Sequence, residues 1–114
     1  MGSEMCIRDS YNSIQERVDS PEFARVFASA TNQPAPEEIE HRLFVIQTLE
    51  ALNATREGII EDSAMADLAS VLGWSYPAHR GGVMSYIDFT GRVEFARVRG
   101  NLQRKFGDRF ALPG

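Results

Sequence analysis

Cysteine is almost missing from this chain of 114 residues, with one copy at Cys6, and histidine occurs only as His41 and His79. One thiol cannot close a disulfide within the chain. Two histidines with no thiolate or carboxylate converging at ligand spacing make no metal motif, and neither carries the pattern of a catalytic base. No apolar run approaches the roughly 20 residues that span a bilayer, which excludes a membrane-spanning helix. Positive charge is not in excess either. The formal net charge is -4, so nucleic acid is not the default partner, since phosphate binding needs clustered Lys and Arg. The local cluster of Arg97, Arg99, Arg104 and Lys105 reads as a solvated helix face. A Gly-x-Gly-x-x-Gly fingerprint is also missing, so no cradle for a dinucleotide phosphate is assigned. No stretch alternates as a strand does, which leaves all-α as the fold class.

What the chain does have is dense punctuation at residues 73–82, where Gly73, Pro77, Gly81 and Gly82 interrupt apolar sequence. Gly73 is expected to close the preceding helix as a left-handed cap, and Pro77 forbids helix just before it. Gly81 and Gly82 lack a Cβ, so another segment can approach their backbone closely. The expected result is a tight turn between helices rather than a binding loop.

Residues 1–10 have a different character. Met-Gly-Ser-Glu-Met-Cys-Ile-Arg-Asp-Ser is similar to a translated transposase-end sequencing adapter and lacks the apolar core and cleavage site of a signal peptide. Cys6 then carries no information on redox compartment, and the chain is expected to be a fragment whose frame enters upstream of Tyr11.

The rest reads as a bundle of about five helices. Ser20-Pro21-Glu22 opens a short helix over residues 21–30, and residues 31–36 are linker. The longest helix runs from Pro36 to Gly58 with an apolar face of Ile39, Leu43, Ile46, Leu49 and Leu52, into which Glu50 and Asn53 also project. Asp62 or Ser63 caps a third helix through Met65, Leu68, Ala69 and Leu72. A short helix over residues 82–90 follows, then a last one over 91–106 with the stripe Phe95, Val98, Leu102 and Phe106. Phe110 and Leu112 of the tail are expected to pack back. Trp74, Tyr76 and Tyr86 read as core aromatics rather than as a wall for an acyl chain, and His41 as exposed.

The order Arg42-Leu43, Glu50-Ala51, Glu57-Gly58, Asp67, Leu72-Gly73-Trp74, Pro77, Gly81-Gly82, Tyr86-Ile87-Asp88, Gly91 and Gly107 with Arg109-Phe110 resembles the helical C-terminal domain of 3-hydroxyacyl-CoA dehydrogenases. It is most similar to the last such domain of multifunctional β-oxidation enzymes that fuse enoyl-CoA hydratase to the dehydrogenase. The resemblance covers about residues 37–112. It implies a helical domain like the C-terminal one of 6-phosphogluconate dehydrogenase, an NAD cofactor for the parent enzyme, and hydride transfer from the 3-hydroxyl of an acyl-CoA. The dinucleotide fold and the catalytic histidine and glutamate belong to a preceding domain. His41 stands where the family's catalytic helical copy has asparagine, so residues 36–114 look like the second, non-catalytic copy, after an adapter at 1–10 and a short helix and linker at 11–35. A further departure is Ser75, where the family has glycine.

On this reading no residue of the chain is catalytic, cofactor-binding or metal-ligating, and Glu50, Gly73, Pro77, Gly81, Gly82, Asp88 and Gly91 act as structural braces. The implied partners are the preceding domains of the parent chain, with a thiolase subunit as a candidate in the intact complex, and the implied compartment is the cytoplasm. Exposed apolar surface is expected on the long and last helices, where those domains would pack. The alternative reading is a helix-turn-helix DNA-binding or free-standing helical interaction module, prompted by residues 67–75. It needs a recognition helix near Ser75, which Pro77 and Gly81-Gly82 oppose.

Overall fold

The computed structural model describes residues 21–114. The adapter-like segment with Cys6, Tyr11 and the capping Ser20 lie outside the described residues. The chain divides into two units, Met1–Gln33 and Pro34–Gly114. In the first, helix α1 (Pro21–Val26) ends short of the expected residue 30 and buries no side chain. Within this unit the Phe23 and Phe27 rings lie 5.1 Å apart.

The second unit is all-α among the described residues. Helix α2 (Pro36–Arg56) starts with proline in its first turn, followed by Glu37 and Glu38, which suit the positive end of the helix dipole. It stops before Gly58, whose φ of 75° a left-handed glycine adopts without strain. Helix α3 (Ser63–Trp74) begins at Asp62, whose carboxylate accepts the Met65 N–H at 2.9 Å. After a one-turn 3-10 segment (Ala78–Arg80) come the short helix α4 (Tyr86–Thr90) and α5 (Arg92–Phe106). A second 3-10 turn, Asp108–Phe110, returns the tail to the bundle.

The core gathers Val45 and Leu49 of α2, Tyr76, Val83 and Tyr86 of the connecting segment, and Phe95, Val98 and Leu102 of α5. The α5 stripe is the one the sequence spacing gives, with Phe106 at its partly buried end. Phe110 also packs inward, and the Arg99 guanidinium donates to its carbonyl at 2.9 Å, so Arg99 is not part of a solvated face. Leu112 departs from expectation and stays exposed, at the edge of a hollow it shares with Phe95 and Arg99.

Three further expectations are corrected. The buried face of α2 is Val45, Thr48, Leu49 and Ala51, while Ile39 and Leu43 are exposed. Those two border an open hollow of about 220 Å³ that Arg109 and Phe110 of the tail also line. Glu50 is exposed rather than set in the apolar face. The third correction concerns the end of α3. Gly73 is helical, and the left-handed residue is Ser75, at φ 61° and ψ 36°, which turns the following Tyr76 N–H back to the Ser70 carbonyl at 3.1 Å. An L-residue in this conformation is strained by roughly 1 kcal/mol. Ser75→Gly is therefore expected to raise stability by up to about 0.5 kcal/mol, after the larger unfolded-state entropy of glycine is set against the relieved strain. A urea titration checks it, and a lowered midpoint would contradict the assignment of strain.

Candidate functional site

The turn residues are held by a polar clasp that joins α2, α3 and the start of α4. Gly82 sits at φ 126°, and a Cβ built on it would lie 2.5 Å from the Asp67 Cβ and 2.6 Å from its Cα. The absence of a side chain lets the two backbones touch. Across this contact the Asp67 Oδ1 accepts the Met84 N–H at 2.7 Å and the Ser85 N–H at 3.0 Å, while its Oδ2 accepts the Ser85 hydroxyl at 2.5 Å. Ser70 hydroxyl donates to the Asp67 carbonyl at 2.8 Å and accepts the Val83 N–H at 3.1 Å. Thr48 completes the clasp by donating to the Val83 carbonyl at 2.7 Å. Thr48 and Ser70 are fully buried. Each polar group of Val83 is therefore satisfied inside the bundle, where an unpaired one would cost about 1–3 kcal/mol.

Arg80 seals the outer side of the turn. Its guanidinium lies 4.3 Å over the Phe44 ring and pairs with Glu40 of α2. Phe44 in turn stacks on Tyr86 at 5.3 Å and meets Tyr76 edge-on at 5.4 Å. The Tyr76 hydroxyl is buried without a partner, and burial first, then the neighbouring Tyr86, pushes its pKa up to about 12. Tyr76 and Tyr86 are thus core aromatics, as the sequence suggests, whereas Trp74 is exposed.

The expected braces fare unequally. Gly81, at φ 86°, and Gly82 stand inside the clasp, and Pro77 begins the 3-10 turn with its carbonyl accepting the Arg80 N–H at 3.0 Å. Gly91, at φ 90°, marks the start of α5, with open space where a Cβ would be. Gly73 also faces open space. Asp88 points to solvent and pairs with Arg92 at 3.3 Å, so it is not an internal brace. Asp67, Ser70 and Thr48, which carry the clasp, were not among the expected braces. Asp67 is among the residues on which the resemblance rests, and its spacing from Ser70 puts both on one helix face.

The remaining polar residues form no catalytic constellation. His41 is half-buried rather than exposed, beside Glu37, Glu38, Arg97 and Lys105 around a hollow of about 260 Å³. Lys105 pairs with Glu38, and Arg97 with Glu94, which holds the Glu94 carboxyl below its usual range. His79 is exposed in the 3-10 turn. Among the described residues no group of three His, Cys, Asp or Glu could hold a metal ion. The glycine turn does not suit a dinucleotide phosphate either. The backbone amides beside the glycine pair, the natural place for a phosphate, already bind the carboxylate of Asp67, whose charge would repel one.

An apolar groove of about 760 Å³ lies between α2 and α3, with Glu50 on its rim. Trp74 forms one wall, and its indole N–H donates to the Gln47 side chain at 2.9 Å. Helix α3 lines this groove with Met65, Ala66, Ala69 and Trp74 and turns an unexpected side to solvent. Met65, Leu68, Leu72 and Trp74 are 58%, 53%, 76% and 56% exposed, whereas Ala66 and Ser70 are buried. The exposed apolar surface is thus concentrated on α3, not on the long and last helices, although Ile39, Leu43 and Val93 contribute there. The clasp explains the inversion, since it needs the small, polar side of α3 to face Val83 and so turns the large apolar side out.

No family model matches the chain, and no solved structure does. Among curated proteins it is 29% identical over 96 residues to the fatty acid oxidation complex subunit alpha of Shewanella amazonensis, covering 84% of this chain and 14% of that protein. It is 39% identical over 62 residues to proteins of the same name from Pseudomonas putida and Pseudomonas entomophila, covering 54% of the chain and 9% of theirs. The chain therefore spans only a small part of the relatives it matches.

Proposed function

We propose that residues 36–114 are the second, non-catalytic helical copy of an NAD-dependent 3-hydroxyacyl-CoA dehydrogenase of fatty-acid β-oxidation, and that they scaffold the catalytic part of a longer parent chain. The similarity to the fatty acid oxidation complex subunit alpha supports the pathway and the longer chain. The single observation that carries the scaffolding role is α3, which turns Met65, Leu68 and Leu72 to solvent while holding its small face inward. Large contiguous apolar surfaces of this kind mark interfaces. NAD belongs to the preceding domain on this reading, and a thiolase subunit is the candidate partner of the intact complex.

The DNA-binding alternative lacks its reading element. A three-residue 3-10 turn follows α3, and the next helix, α4, has five residues. Neither has the length to lie along a major groove as a recognition helix.

Two measurements test the proposal. Genomic DNA read across the codon for Tyr11, without tagmentation, is expected to continue into a dinucleotide fingerprint and a first helical copy; a genuine start codon just before Tyr11 would overturn it. The chain itself, mixed with NAD and 3-hydroxybutyryl-CoA, is expected to produce no NADH. Measurable turnover that follows the protein through purification would refute a purely scaffolding role.

A further inference from the structure

We infer that the groove between α2 and α3 seats an amphipathic α-helix that carries Lys or Arg beside its apolar stripe, supplied by the longer parent polypeptide. The source of that helix rests on the function proposed above; the groove's preference for such a helix does not. Shape is the first argument. The groove is floored by Ala51 and Ala54 of α2 and Ala66 and Ala69 of α3, with Met65 and Trp74 as bulky flanks. Helix axes pack about 8–10 Å apart, and small floor residues let an incoming helix reach that distance. A small-molecule site would need convergent polar groups, whereas here the Gln47 amide oxygen is already engaged by Trp74.

Charge selects the kind of helix. Glu50 and Glu61 are the charged side chains on the groove, both are exposed, and no Lys, Arg or His lines it. Neither forms an ion pair with another described residue. An incoming apolar face would bring this negative rim into partly desolvated contact, where a cation on the partner is favoured and a carboxylate is repelled. Leu68 and Leu72 do not line the groove but add exposed apolar surface beside it on α3. This is the helix-in-groove mode of recognition, with apolar anchors at helical spacing and charge setting preference.

The full chain reports on its own groove, because Trp74 is its one tryptophan. The probe is an amidated 18-residue peptide of leucine, alanine and lysine patterned as an amphipathic helix, with a second peptide that has glutamate for lysine. Titration with the lysine peptide is expected to shift Trp74 emission saturably to the blue, and the glutamate peptide to leave it unchanged. Ala69→Gln adds bulk to the floor at an exposed helical position without changing charge, and is expected to weaken the lysine peptide at least about tenfold while the circular dichroism melt stays within a few degrees. Glu50→Lys is expected to weaken the lysine peptide and let the glutamate peptide bind.

No shift with either peptide, or equal binding of the lysine peptide by the parent chain, Ala69→Gln and Glu50→Lys, would overturn the inference. So would sedimentation showing that the free chain self-associates and that Ala69→Gln makes it monomeric, because a second copy would then own the groove. If the lysine peptide binds as expected but no dehydrogenase frame lies upstream of Tyr11, the function proposed above and the source of the helix fall together, while the groove's preference stands.

Discussion

Gly82→Ala is expected to lower the melting temperature by roughly 20 °C or to prevent folding altogether, the largest effect of any single methyl group added to this domain. The added Cβ would meet the Cα and Cβ of Asp67 at 2.6 and 2.5 Å, and these are backbone and near-backbone atoms that no rotamer change can move away. The conformation itself is unfavourable for alanine at φ 126°. Relief requires α3 and the Val83 segment to separate, which lengthens the bonds that join Val83 to Ser70 and Thr48. A loss of about 4 kcal/mol follows from overpacking plus broken buried hydrogen bonds. At about 4–8 °C per kcal/mol for a domain of this size, that gives the expected shift. Gly58→Ala is the control. Gly58 also has positive φ, at 75°, but nothing lies within 4 Å of its built Cβ, so only the backbone cost of about 1 kcal/mol applies. Equal losses in the two variants, measured by calorimetry, would show that the close approach at Gly82 carries no energy.

Asp67→Ala is expected to cost about 3 kcal/mol, and Asp67→Asn about 1 kcal/mol. Alanine leaves the Met84 and Ser85 N–H groups and the Ser85 hydroxyl without the carboxylate that accepts them. Hydrogen bonds to a charged acceptor are each worth roughly 1.5–3 kcal/mol, less where water can replace the partner, and Asp67 is only partly buried. Asparagine keeps the Oδ1 that serves both amides, so it isolates the value of the charge and of the Oδ2 bond. Urea unfolding of Asp67→Ala, Ser85→Ala and the double variant, combined as a cycle, is expected to give a coupling between residues 67 and 85 of about 1 kcal/mol or more. A cost below about 0.5 kcal/mol for Asp67→Ala would mean that the clasp is decoration on a fold held by apolar packing alone.

Both predictions concern residues whose importance the sequence showed unevenly. The glycine pair stands out because two adjacent residues without Cβ, after a proline, are costly unless some segment must pass close by. Asp67 was visible within a family motif but did not stand out as a brace, and Thr48 and Ser70 lie inside helical stretches where a hydroxyl attracts no notice. Their role comes from Val83, whose two backbone groups are 35 and 13 residues away from the hydroxyls that satisfy them. Separations of that size leave no periodic trace. Glu50 shows the converse error. Its place among apolar residues of α2 suggested a buried brace, yet it is exposed at the rim of a groove, because the helix presents apolar surface on two sides and only one of them meets the core.

The sequence by itself determined the all-α class, the starts and ends of the long, third and last helices to within a residue or two, and the inward stripe of α5. These follow from local chemistry, namely caps, prolines, glycines and a spacing near 3.6 residues that any chain with this pattern would obey. Only the tertiary structure decided which apolar stripes are core and which are left bare. Hydrophobic periodicity says that a helix has an apolar face, but the direction in which that face points depends on competing demands across the whole fold. In α3 the demand of the clasp for small and polar residues at Ala66, Asp67 and Ser70 prevailed, and Met65, Leu68 and Leu72 were turned outward. Likewise the left-handed turn fell on Ser75 rather than Gly73, because from there the Tyr76 N–H reaches back to the Ser70 carbonyl.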